Sequence, residues 1–145
     1  MPLEQDMTGK AFEKQLERWH KDIDCWTRKW PDWRSGCKTP APCDRITVAK
    51  SGTFFFELKV VKGLLSMKHV ERQLSVMMNL ESLGANAWYC VKDAVMPKLY
   101  QEYFWLVRPS LAFEALTKKS VLASQIGLYV NKGVFKRLLE TGKYQ

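Results

Sequence analysis

The stretch Asp44-Arg45-Ile46-Thr47-Val48-Ala49-Lys50-Ser51-Gly52-Thr53-Phe54-Phe55-Phe56-Glu57-Leu58-Lys59 decides how this chain folds. Two runs of β-branched and aromatic residues, Ile46 to Ala49 and Thr53 to Val61, flank the turn signal Ser51-Gly52, so the segment reads as a β-hairpin. With Ser51-Gly52 as a two-residue loop, Lys50 pairs with Thr53, and this register sets Asp44 opposite Lys59 and diagonal to Glu57. Glu57 and Lys59 lie two residues apart and share one face of their strand. One short hairpin therefore carries two carboxylates and one ammonium on a single surface.

That grouping suits a particular chemistry. Two carboxylate groups can hold Mg²⁺, which takes few protein ligands and keeps waters and phosphate oxygens in its other positions. Mn²⁺ is expected to substitute. A bound divalent ion lowers the pKa of a water and polarises a phosphoryl oxygen, and a neighbouring lysine orients the water or offsets developing charge, which together describe phosphodiester hydrolysis. The alternative is an amphipathic hairpin whose Asp44 and Glu57 are surface charges paired with Lys59. Against it stand Phe54, Phe55, Phe56, Leu58, Val60 and Val61, which make the second strand apolar on both faces and predict that it is buried. Buried charges require a metal or a matched partner.

Upstream, Phe12, Leu16, Trp19, Ile23 and Trp26 recur at intervals of three and four, predicting a helix from Gly9 to about Trp26 with one buried stripe and Thr8 as its cap. Glu13, Glu17 and His20 follow one another on an adjacent face, where Glu13 is by pattern alone a solvated charge. Thr27 to Cys43 reads as a loop broken by Pro31, Pro40 and Pro42, although a further strand is not excluded there. It interleaves Arg28, Lys29, Arg34 and Lys38 with Trp30 and Trp33, as a nucleic-acid contact does, with cations for phosphate and flat rings for exposed bases. The tryptophans can equally fold back onto the core.

Downstream, Lys62 and Gly63 lead to Ser66, a helix cap, and Val70, Leu74, Met77 and Met78 give the next helix, Met67 to Leu83, a broad apolar face ended by Gly84. Lys68, His69, Arg72 and Gln73 lie outside that face; Lys62, Lys68, His69 and Arg72 are candidates for phosphate contact. Ala85 to Val91 predicts a strand returning beside the hairpin, parallel to it because a helix intervenes, and Tyr103 to Val107 predicts another. Leu111 to Lys118 and Lys132 to Leu139 read as helices, the latter capped by Asn131, while Val121 to Val130 is ambiguous. The predicted class is α/β, a central mixed sheet flanked by helices.

The 145 residues fit one domain, with a core over about 9–108 and a basic extension over about 109–145. No apolar run reaches the length of a membrane span and residues 1–10 lack the apolar centre of a signal peptide, so a cytoplasmic protein with no membrane partner is expected. Lys plus Arg number 23 against 15 Asp plus Glu, a formal charge of +8 that favours a polyanionic partner without singling out DNA. Four cysteines show no C-x-x-C spacing; His20, Cys25, Cys37 and Cys43 make a zinc site only if the intervening segment loops back.

Pro42-Cys43-Asp44, followed thirteen residues on by Glu57-Leu58-Lys59, resembles the signature of the PD-(D/E)XK nucleases, with Cys43 an added residue between proline and aspartate. Gly9-Lys10-Ala11-Phe12-Glu13 is similar to the opening of the first helix in the RecU-like and archaeal-type Holliday junction resolvases, and Gln73 to a glutamine on the helix after their Glu-x-Lys strand. The resemblance spans Gly9 to about Val91. It implies a restriction-endonuclease-like core and a homodimeric, Mg²⁺-dependent endonuclease acting on branched DNA, in which Asp44, Glu57 and Glu13 bind metal while Lys59 and Gln73 assist. Small size is associated with a bacteriophage origin, and so with a host cytoplasm. Two alternatives stand beside this reading: another nuclease with the same core, of the virus-type replication and repair (VRR) or restriction-like kind, and a catalytically inactive nucleic-acid-binding protein.

Overall fold

The computed structural model describes residues 4–6, 8–30, 43–97 and 102–144, with side chains at 8–30, 43–94 and 102–144. In chain order the elements are β1 (Glu4–Asp6), α1 (Gly9–Lys21), β2 (Cys25–Lys29), β3 (Arg45–Ala49), β4 (Gly52–Val61), α2 (Met67–Ser82), β5 (Asn86–Asp93), β6 (Val95–Pro97), β7 (Tyr103–Val107), α3 (Pro109–Lys118), α4 (Ala123–Ile126), β8 (Leu128–Asn131) and α5 (Lys132–Thr141). Six strands form one mixed sheet in the order β2-β3-β4-β5-β7-β8, and β1 pairs with β6 apart from it. The expected α/β architecture is therefore present, with β5 parallel to β4 through the α2 crossover and every other pairing in the large sheet antiparallel.

Alternation along β4 divides the core into two layers. Phe54 and Phe56 point to one side, with Phe12, Leu16 and Trp19 of α1 and Phe135, Leu138 and Leu139 of α5. Phe55 and Val61 point to the other, with Val70, Leu74 and Met77 of α2 and Ala112 and Leu116 of α3. The stretch 109–145 thus completes the sheet through β8 and fills one layer through α5. It also spends some of its positive charge internally, since Lys132 bonds Asp22 and Lys136 faces Glu140 at 3.9 Å.

The hairpin forms with a different register from the expected one. Ala49 pairs with Gly52 and Arg45 with Phe56, so the loop is Lys50-Ser51. Tertiary bonds select this turn: Ser51 donates its Oγ–H toward the carbonyls of Leu138 and Leu139 at 2.9 and 2.8 Å. Gly52 then takes φ +143, a conformation disfavoured for residues with a Cβ. Each partner moves by two positions, which preserves the faces. The consequence is that Asp44 falls opposite Glu57 rather than opposite Lys59.

The first helix also departs from expectation, ending at Lys21 instead of near Trp26. Asp22 and Asp24 would set negative charge against the helix C-terminus, and the following residues Cys25 to Lys29 take up β2 beside β3. Trp26, expected in the buried stripe, is consequently 56% exposed on an edge strand, whereas Ile23 is buried. Thr8 caps α1 as expected, accepting the Ala11 N–H at 3.1 Å, and Asn131 caps α5 by accepting from Val134 at 2.9 Å.

Candidate functional site

β4 is a central strand, and Glu57 sits within it where burial is nearly complete, with 4% of the residue exposed. Asp44 occupies the residue before β3 and is tied to β4 twice. Its N–H donates to the Phe56 carbonyl at 3.0 Å, and its Oδ2 accepts the Leu58 N–H at 2.8 Å. These bonds flank Glu57 and set the two carboxyls opposite each other across the strand pair, close enough for the Asp44 charge to act on Glu57. Lys59, two residues along the same face, places Nζ 3.0 Å from Glu57 Oε2 and is itself largely shielded.

The electrostatics of this group are unbalanced. Burial pushes the Glu57 carboxyl up to about 7, the Asp44 charge pushes in the same direction, and Lys59 offsets only part of the rise. Cys43, buried beside them, is raised to about 12 chiefly by burial and is held as a neutral thiol, with Sγ 3.4 Å from the Arg45 carbonyl. On the adjacent strand Tyr89 is the register partner of Glu57, and its hydroxyl donates to the Val70 carbonyl of α2 at 3.0 Å. Gln73 follows Val70 by one helical turn. Its Oε1 is buried without a hydrogen-bond partner, an orphaned acceptor on the same side of the sheet as the carboxylates.

The donor set fits a hard divalent cation. Asp44 and Glu57 supply carboxylate oxygens, Asp44 retains Oδ1 beyond its bond to Leu58, and a single ammonium leaves the pair short of positive charge. Oxygen donors of this kind suit a hard cation rather than a thiol-loving ion.

Other expected members are not gathered here. Glu13 lies on α1, on the opposite side of the sheet, and pairs with Lys29 at 3.3 Å. Among the described residues no three His, Cys, Asp or Glu side chains converge as a metal cage, so Glu13 does not join the carboxylate pair. The zinc alternative finds no support among the described ligands. His20 bonds the Leu16 carbonyl and Thr47, Cys25 Sγ leans toward the His20 carbonyl at 3.8 Å, and Cys43 faces Arg45; Cys37 lies outside the described residues.

Of the expected phosphate contacts, Arg28, Lys29, Lys62, Lys68 and Arg72 are exposed. His69 instead closes the N-terminus of α2, its Nδ1 accepting the Ser66 N–H at 2.9 Å, a role the Ser-x-x-His spacing could have announced. Arg34, Lys38 and Trp33 lie outside the described residues. Arg45 was not singled out in the sequence. It is buried on the α1 side, bonded to Glu17 at 2.9 Å and to Thr27 at 3.1 Å, and its alternation with Asp44 in the hairpin is the signal that separates it from the carboxylate face.

Among the described residues no helix is long and apolar enough to cross a membrane. No protein-family model and no curated protein matches the sequence. One solved structure with a similar path of the backbone is Hjc of Archaeoglobus fulgidus, a Holliday junction resolvase, at 13% identity and TM-score 0.49, the match covering 86% of this chain and 89% of that one.

Proposed function

We propose that this chain is a Mg²⁺-dependent endodeoxyribonuclease that hydrolyses phosphodiesters in branched DNA, with the four-way junction as its preferred substrate. The observation that carries the reading is the buried, face-to-face Asp44 and Glu57 pair with Lys59 Nζ 3.0 Å from Glu57. A carboxylate held in a central strand at a cost in protonation is placed for binding, not for solubility.

In the proposed mechanism Asp44 and Glu57 would hold a divalent ion, which when bound would supply charge stabilisation at the phosphoryl oxygens and acidify a water toward neutral pH. The peptide N–H of Leu58 fixes the Asp44 carboxylate, so that its free oxygen is preorganised. Lys59 offsets the charge that accumulates on the phosphoryl group during attack, and Gln73 accepts a hydrogen bond from the attacking water through Oε1, which has no partner in the structure. Exposed Arg28, Lys62, Lys68 and Arg72 contact phosphates and fix the position of the duplex arms without reading sequence. Glu13 is left to its pair with Lys29. Because a four-way junction presents two equivalent cleavage points, a twofold homodimer with one site in each subunit matches its symmetry.

The test offers four-way junctions, flaps and linear duplex in parallel, with Mg²⁺ or with EDTA. Symmetrical nicking of the junction in preference to linear duplex supports the reading, and equal cutting of linear duplex moves the protein to another nuclease class with the same core. Asp44→Asn is expected to abolish cleavage while keeping or improving junction affinity, because an amide removes the metal ligand and the repulsion of phosphate. Cleavage by Asp44→Asn at the parent rate rules the site assignment out.

A further inference from the structure

The sheet face that carries Asp44 and Glu57 continues past them to its edge, and helix α2 does not follow. β2 runs antiparallel to β3 with Arg28 opposite Ile46 and Trp26 opposite Val48, and the Trp30 N–H donates to the Asp44 carbonyl at 2.8 Å, extending the ladder by one pair. Alternation then puts Trp26, Arg28 and Trp30 on the face of Asp44, Ile46 and Val48. Trp30 stands beside Asp44 and is partly buried, Arg28 is exposed, and Trp26 and Val48 are 56% and 44% exposed. Among the described residues no acidic group pairs with Arg28. An indole, a guanidinium and a second indole thus form a row leading away from the carboxylate pair.

We propose that this row is a shelf for unpaired DNA nucleotides leading into the cleavage site, with the rings of Trp26 and Trp30 stacking on bases and Arg28 holding the phosphate between them. The proposal rests on the nuclease reading above and adds the form in which the strand approaches. Trp26 and Trp30, four apart along the strand, are spaced by about 13 Å, room for about two steps of an extended, unstacked strand, with Arg28 midway at about 6.6 Å from each. Base faces suit an indole whatever the sequence, and paired bases inside a duplex hide those faces. The net charge of +8 and the exposed cation in the row favour a polyanion over a second apolar surface. The shelf is also continuous with the carboxylates, which a protein-docking patch has no reason to be.

The test is fluorescence anisotropy of a short labelled oligothymidylate in EDTA, where no cleavage competes, using the full chain, Trp26→Ala, Trp26→Phe, Arg28→Ala and Tyr129→Ala. Tyr129 is 49% exposed on β8 at the other edge of the sheet and serves as the aromatic control. Trp26→Ala is expected to weaken binding about tenfold, the loss of roughly one stacked base, with Trp26→Phe between it and the parent. Arg28→Ala is expected to lower the salt dependence by about one phosphate contact, and Tyr129→Ala to bind as the parent does. Parent-like affinity in Trp26→Ala, checked for folding by its melting curve, overturns the shelf. So does a dimer that becomes a monomer in Trp26→Ala with oligonucleotide affinity unchanged, since the row is then a subunit contact. Asp44→Asn in the same assay separates the two readings. It should bind the oligonucleotide in EDTA as the parent does and, with Mg²⁺ and a labelled four-way junction, should not cleave; if it cleaves the junction at the parent rate the nuclease site is wrong whatever the shelf does.

Discussion

The two faces of the sheet treat buried polar groups in opposite ways. On the α1 side the charges and hydroxyls are matched. Arg45 bonds Glu17 and Thr27, His20 lies between the Leu16 carbonyl and Thr47, and fully buried Lys92 donates to Gln15 at 2.6 Å. Because the Leu16 carbonyl can only accept, His20 carries its proton on Nδ1, and Nε2 accepts from Thr47. On the α2 side, among the described residues, Glu57 confronts a second carboxylate, has one cation for the two, and lies in a layer where Gln73 Oε1 has no partner. The match is not complete on the first side, where Trp88 Nε1 is also unpartnered, but Arg108 stacks on that ring at 4.6 Å. A satisfied network serves the fold; under the proposed function, the deficit of positive charge in the central strand would be stability given up for binding.

The largest effect expected from breaking this contrast is on cleavage. Asp44→Asn or Glu57→Gln should each lower the rate at least about a thousandfold, measured as nicking of a labelled four-way junction under single-turnover conditions. Lys59→Ala should cost less, about a hundredfold, with Lys59→Arg recovering part of it if charge rather than shape is what the position supplies.

Next come the opposing pH dependences. His20 is lowered from 6.5 to about 4, foremost by burial, so between those values the unfolded chain binds the proton and stability falls as pH falls. Glu57 is raised from 4.5 to about 7, so between those values the folded chain holds the proton and stability falls as pH rises. The two slopes nearly cancel in the parent between about 4.5 and 6.5. Glu57→Gln should unmask a stability that climbs with pH by roughly 2 kcal/mol over that window, and His20→Gln the opposite slope. Urea unfolding at several pH values checks both, and identical profiles for the two variants would refute the assignment. At the small end, Lys29→Ala breaks a pair whose lysine is more than half exposed and should change stability by less than about 1 kcal/mol.

Much of this was legible in the sequence. The alternation of β4, the capped helices α1, α2 and α5 and the crossover to β5 follow from local periodicity, and the grouping of Asp44, Glu57 and Lys59 on one face follows from their spacing. What local pattern could not supply was set at a distance. The hairpin register depends on Ser51 reaching the carbonyls of Leu138 and Leu139, 87 and 88 residues away, and it brings Asp44 opposite Glu57. Trp26 continued the helical period of Phe12 and Trp19, yet an edge strand claimed it once the two aspartates had ended the helix. Glu13 matched a motif by position, while its place on α1 turned it to the other side of the sheet.

The most direct test of the central claim is Mn²⁺ binding at pH 8, where Glu57 is ionised, followed by the loss of the free-ion paramagnetic resonance signal in the parent, Asp44→Asn and Glu57→Gln. The parent should bind Mn²⁺ in competition with Mg²⁺, and each variant should lose that binding while remaining folded. A parent that leaves Mn²⁺ free, or variants that bind it as well as the parent, would contradict the assignment of this carboxylate pair as a metal-dependent hydrolytic site.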